Sequence, residues 1–226
     1  MHPVLRLYED ILTTSAPIKL RLPPLPRFVF VVSGSARVGA STVGSGEAWH
    51  GETAVDIAAS EEGAALWRWE FARGDSGATV AAVPGMVSRE KLTAFLETLP
   101  KGDLLLRGDS VAFPPGGCAY THTHQGPGVR CLIEGSIRID TRTASGMRRS
   151  ASYGPGGAWY EAGPDPVFAQ AAADRPSRFI RVMILPRALV GKSSIQYVDE
   201  ADKAKPKSQQ YKIYADAPIM LDPLQK

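Results

Sequence analysis

The chain has 226 residues, 44% of them hydrophobic and 22% charged, with a formal net charge of +3. That is enough chain for one large globular core or two small ones, and it excludes a disordered or fibrous composition. The charge is too small and too scattered to argue for nucleic acid. The basic stretch DKAKPKSQQYK carries an acid and reads as a solvated segment.

The N-terminal run MHPVLRLYEDILTTSAP holds Glu9 and Asp10 and has no apolar core region, so it does not read as a signal peptide. No apolar run approaches the ~20 residues of a membrane span. The two cysteines, Cys118 and Cys131, sit outside any CxxC pair. Without a disulfide framework the expected setting is reducing, hence the cytoplasm.

Glycine (22) and proline (18) cut the chain into short β-rich runs such as RFVFVVSG, AALWRWEF, VRCLIEG and RFIRVMILP. Many short strands with frequent turn signals predict an all-β sandwich or barrel. One segment has helical spacing: SREKLTAFLETLP, with Ser88 as N-cap, Leu92, Phe95, Leu96 and Leu99 on one stripe, and Pro100 as the stop. A helix is therefore predicted over 88–99.

The segments on either side of it match. FVFVVSGSARV (28–38) corresponds to VRCLIEGSIRI (129–139), which pairs Gly34 with Gly135. The next match pairs Ala48-Trp49 with Ala158-Trp159, and a third pairs Arg68 with Arg181. Three matches in one order indicate a duplicated β unit. Features common to both halves belong to the fold; features of one half are candidates for chemistry. Trp159 and Arg181 fall in the first group.

The second half alone contains YTHTHQGPGVRCLIEG (120–135). His122 and His124 lie at i and i+2 of a strand, so both imidazoles face one side, where they suit a transition metal. Two plain surface or core histidines are the alternative. The first half has IKLRLPPLPR in this place.

The wider spacing is that of a known motif. Gly116, five residues, His122-x-His124, three residues, position 128, six residues and Gly135 resemble the first motif of the cupin superfamily, G-x5-HxH-x3-E-x6-G. The stretch YGPGGAWYEAGPDPVFAQ is similar to its degenerate second motif. The resemblance implies two tandem cupin barrels of jelly-roll type joined by the short helix. It places a degenerate N-terminal barrel at 1–86, a helical linker at 87–104, a site-bearing barrel at 105–190 and a tail at 191–226.

The chain departs from the motif at two ligands. The glutamate position holds Gly128, and the third histidine falls among Pro166, Val167 and Phe168. His122 and His124 are the expected metal ligands, with Gln125 and Glu161 as replacements for the missing pair. Glu161 has Gly51 as its counterpart, which marks it as specific to the second half. Arg130 lies two residues past the glutamate position, so strand alternation turns it inward as a partner for a carboxylate or enolate oxygen. Its alternative is a strand-edge arginine paired with Glu134. Tyr120 shares strand parity with the histidines and is a second candidate catalytic residue; a core tyrosine is the plain alternative.

The expected cofactor is a divalent transition metal, Fe(II) first, with Zn, Mn, Ni or Cu as alternatives. The resemblance implies a metal-dependent enzyme, of dioxygenase type, on a small organic acid or phenolic compound. The other reading is a non-catalytic binding or sensing protein with a degenerate site. The expected partners are a small anionic molecule and a second copy of the chain in a homodimer, with neither nucleic acid nor membrane.

Overall fold

The repeated strand patterns and their glycine turns build two separate β units in the computed structural model, Met1–Glu97 and Thr98–Lys226. The structure describes residues 2–13, 20–74, 83–143 and 145–220. The first unit contains β1 (Pro3–Leu12), β2 (Leu20–Leu22), β3 (Arg27–Val38), β4 (Ser41–Gly44), β5 (Ala48–Gly51), β6 (Val55–Arg73) and β7 (Met86–Phe95). Its order is β4-β3-β6-β1-β7, with β5 also on β3 and β2 also on β6, all antiparallel.

The second unit contains β8 (Leu104–Phe113), β9 (Cys118–His124), β10 (Gly128–Glu134), β11 (Ile137–Arg142) and β12 (Arg148–Tyr153). It continues with β13 (Ala158–Glu161), β14 (Val167–Ala171), β15 (Ser177–Pro186), β16 (Ile195–Tyr197) and β17 (Gln210–Ile219). Two five-stranded sheets result, β13-β10-β15-β8-β17 and β12-β11-β14-β9-β16.

The pairing registers of the two units coincide. Val29 lies opposite Trp49 and Arg68, and Arg130 opposite Trp159 and Arg181. The strand-end glycines explain themselves: Gly34 and Gly135 have φ of +71° and +82°, and a Cβ on either would come within 2.1 Å of a carbonyl oxygen, that of Gly63 or Pro176. Only glycine takes that turn without strain. Inward residues of alternating strands form each core. In the second unit this core includes Val111, Leu132, Ile139, Trp159, Val167 and Phe179.

Two expectations are corrected. Residues 88–99 do not form a helix: β7 pairs along β1, from Val4–Phe95 to Leu12–Met86. The helical stripe is split, leaving Phe95 62% exposed while Leu96 is buried. The hydrogen bonds of an otherwise open sheet edge outweigh the local helical preference. Within the segment after 191, β16 and β17 belong to the barrel rather than to a tail. β17 pairs with β8 and β16 with β9, closing two edges of their own unit. The barrel thus begins at Leu104 and runs to Ile219 rather than ending at 190. Among the described residues no helix is long and apolar enough to cross a membrane.

Candidate functional site

The site grows from one row of residues across the sheet. Asp109 on β8, Arg181 on β15, Arg130 on β10 and Trp159 on β13 are successive cross-strand partners. All four are buried. Arg181 makes a two-pronged pair with Asp109, Nε to Oδ1 at 2.7 Å and Nη2 to Oδ2 at 2.9 Å. Burial weighs against the charge of Arg181, but Asp109 more than compensates and its pKa lies above the ordinary value.

The histidines come from the facing sheet. A bulge in β9 sets Val167 opposite His122 but Ala169 opposite Ala119, three residues against two. The bulge turns Ala119, His122 and His124 inward together and rotates Tyr120 out of their row. The ring of Tyr120 stacks beneath the ammonium groups of Lys205 and Lys207, at 4.9 and 5.3 Å. The catalytic role expected of Tyr120 rested on a regular strand, and the bulge removes that basis. Its carbonyl does serve the site, accepting from His122 Nδ1 at 2.7 Å. That bond leaves the lone pair of neutral His122 on Nε2.

His122 Nε2 lies 3.2 Å from His124 Nε2, which lies 3.4 Å from Glu161 Oε2. Trp159 Nε1 donates to the other carboxylate oxygen, Oε1, at 2.8 Å. Arg130 completes the cluster: Nη1 donates to the Gly128 carbonyl at 2.6 Å, and Nη2 stands 2.7 Å from Glu161 Oε2. This last contact is an ion pair without hydrogen-bond alignment. Arg130 Nη2, Glu161 Oε2 and His124 Nδ1 are all buried and make no hydrogen bond. Arg130 thus points inward as its parity predicted, and its carboxylate partner is Glu161. Glu134, the alternative, pairs instead with Arg178.

The charges follow from burial and neighbours. Burial pushes the His124 pKa down to about 3 against the pull of Glu161, and lowers that of His122 despite the Tyr120 carbonyl. Burial also lowers Arg130 to about 10, with Glu161 opposing. Burial alone would raise Glu161, but Arg130 and His124 together hold it well below the usual carboxylate range. Near neutral pH the cluster is two neutral imidazoles and one Arg130–Glu161 ion pair.

These residues edge a cavity of about 20 Å³, room for one water-sized group, with Ile195 and Tyr211 also in its wall. A second, outer pocket of about 470 Å³ is lined by Lys101, Thr123, Gln125 and Gln196 among others. His124 is the one residue common to both walls. Gln125 lines the outer pocket beside His124 and is absent from the wall of the inner cavity, where both histidines and Glu161 stand. Asp109, Ile195 and Tyr211 were missed in the sequence. Asp109 meets Arg181 only through the register of β8 on β15, and the other two come from the segment read as a tail.

Two of the donors that a metal centre needs stand in this cluster. The two imidazole nitrogens have suitable chemistry and spacing, and His122 has the outer hydrogen bond that orients a ligand. Among the described residues, however, no group of three or more His, Cys, Asp or Glu is arranged to hold a metal ion. The nearest third donor, Glu161, is engaged by a guanidinium. With the Arg130 guanidinium against Glu161, the residues do not fit a metal.

No family model and no curated protein matches the chain. Solved structures do. A deletion mutant of Bacillus subtilis oxalate decarboxylase aligns with a TM-score of 0.62 at 15% identity, over 89% of this chain and 73% of that one. A Trp-to-Tyr variant of the same enzyme gives 0.60 at 14%, over 91% and 70%. A structure from work on the Mn(II) centres of that enzyme gives 0.58 at 16%, over 79% and 68%. These enzymes are bicupins, and at such identities the likeness establishes the fold: two tandem cupin-type barrels.

Proposed function

We propose that the C-terminal barrel receives a small organic acid. The observation that carries this is the set of three buried polar atoms without hydrogen bonds, Arg130 Nη2, Glu161 Oε2 and His124 Nδ1, around one cavity. Buried groups of this kind ordinarily find partners, and a donor beside two acceptors suits an acid that brings both. The body of the ligand occupies the outer pocket, where Lys101 and Gln125 supply a charge and an amide. One of its oxygens enters the cavity past His124 and meets Arg130. The substrate class agrees with the oxalate acted on by the enzymes of similar fold.

Turnover is the second reading, favoured by the two imidazoles, His122 and His124, in the wall of the cavity that meets the acid. The resemblance to cupins also implies oxygen chemistry on Fe(II), with His122 and His124 as ligands. The Arg130–Glu161 ion pair favours acid binding that does not depend on a closed metal centre, so no step is assigned to an ion.

Titration calorimetry with formate and oxalate, against formamide and oxamide as uncharged controls, tests the reading. The acids are expected to bind and to raise the melting temperature while the amides do neither. If neither acid binds, the organic-acid proposal falls.

A further inference from the structure

The position that departs most from the cupin motif is filled by another residue of this chain. Gly128 stands where the motif has glutamate, and its missing side chain leaves space that Arg130 enters. A Cβ on Gly128 would lie 3.0 Å from Arg130 Nη1, 2.7 Å from the Met183 side chain and 2.6 Å from the Val182 carbonyl oxygen. Nη1 fastens to the Gly128 carbonyl at 2.6 Å, and this anchors the guanidinium with Nη2 against Glu161.

Without the guanidinium, three donors remain. Neighbouring ligand atoms bound at 2.0–2.2 Å to one ion lie roughly 2.8–3.5 Å apart. The 3.2 Å between His122 Nε2 and His124 Nε2 and the 3.4 Å between His124 Nε2 and Glu161 Oε2 fall in that range. Trp159 already holds Glu161 Oε1, which leaves Oε2 turned to His124. Two imidazoles and one carboxylate form a recognised set for divalent transition ions.

In the N-terminal unit the counterparts of Gly128, Arg130 and Glu161 are all different residues. The pairing registers place Arg27 at the position of Gly128, Val29 at that of Arg130 and Gly51 at that of Glu161. The barrel with the arginine is the barrel with the carboxylate and the histidines.

We propose that Arg130 is an internal cation masking a latent three-donor metal site of His122, His124 and Glu161. The guanidinium supplies the positive charge that a divalent ion would otherwise bring, and it repels that ion. Gly128 makes the substitution sterically feasible. This inference shares the location of the organic-acid site but not its ligand, so either stands without the other.

The test is calorimetric titration of the full chain with Zn(II) alone, repeated with Co(II) followed by visible absorption. Arg130→Met is expected to bind Zn(II) at least tenfold tighter than the parent and to show a new Co(II) band. Arg130→Met with Glu161→Gln is expected to lose that gain. Arg130→Gln keeps a donor for the Gly128 carbonyl without the charge, and it carries the same test if the methionine variant does not fold. Zn(II) should also raise the melting temperature of the single variants more than that of the parent. If neither single variant binds Zn(II) more tightly, or if the gain survives Glu161→Gln, the masking role is overturned. Formate binding by the parent is unaffected by that result, so the two failures are distinguishable.

Discussion

The same sheet position is used in two ways by the two barrels. In the N-terminal unit Arg68 is held by Asp10 (Nε to Oδ2, 2.7 Å) and Glu70 (Nη1 to Oε1, 2.6 Å), and Glu70 also takes Arg27 at 2.7 Å. Ser88 donates to Asp10, and all these ion-pairing side chains are fully buried. Tyr8 Oη and Arg27 Nη1 are left without hydrogen bonds there, but no imidazole joins them. In the C-terminal unit Arg181 has Asp109, while Arg130 and Glu161 form a second pair that opens onto a cavity with two histidines. The duplicated frame thus carries a continuous charge network in one copy and a divided one in the other. Division leaves polar atoms of both kinds facing a space, and that is what marks the second copy as the candidate site.

The largest expected effect breaks the comparison at its centre. Asp109→Ala leaves Arg181 buried without its carboxylate partner, whereas Asp10→Ala leaves Arg68 still against Glu70. Removing one member of a buried pair costs ~3–5 kcal/mol. Asp109→Ala is expected at the top of that range and Asp10→Ala below it, measured by urea unfolding. A larger loss from Asp10→Ala would show that the N-terminal network is the less compensated one.

Next in size are the two equivalent glycines. Gly34→Ala and Gly135→Ala each place a Cβ about on top of a carbonyl oxygen at positive φ. Each is expected to cost at least ~2 kcal/mol, and the two losses should agree within ~1 kcal/mol. Unequal losses in thermal melts would mean that the turns, though alike in geometry, are supported differently.

Much of this was legible in the sequence because strand alternation and glycine turns are local. The match of Gly34 to Gly135, Trp49 to Trp159 and Arg68 to Arg181 gave the duplicated frame, and His122, His124, Arg130 and Glu161 do meet. What failed depended on pairing partners far along the chain. The helical spacing of 88–99 is real, yet β1 offered an open edge that took the segment as a strand. Tyr120 shared parity with the histidines only until a bulge, invisible in sequence, shifted β9 by one residue. Gln125 is next to His124 in the chain but follows the turn into the outer pocket. Ile195 and Tyr211 reach the cavity because β16 and β17 close edges of their own barrel.

A smaller effect is expected from Arg130→Lys. Lysine keeps the charge but loses the planar fork that spans Gly128 and Glu161. Formate affinity is expected to fall about tenfold, equivalent to ~1.4 kcal/mol, by calorimetry. Unchanged affinity would make Arg130 a structural residue and remove it from the acid-binding proposal.

The smallest expected change in stability comes from making one barrel resemble the other. Leu22 lies opposite Val55 in β2 and β6 as His122 lies opposite Val167 in β9 and β14. Leucine is therefore already accommodated at this position of the frame, against the same type of neighbour. His122→Leu removes the bond to the Tyr120 carbonyl and the acceptor facing His124, but it also removes a buried polar ring in favour of an apolar one of similar size. These opposing terms should leave stability within ~1 kcal/mol of the parent. Formate binding should weaken at the same time, because His124 loses the partner that fixes its ring beside Arg130 and Glu161. A loss as large as that of Asp109→Ala would instead show that the histidine pair holds the barrel together. The asymmetry between the two copies would then be one of support rather than of function.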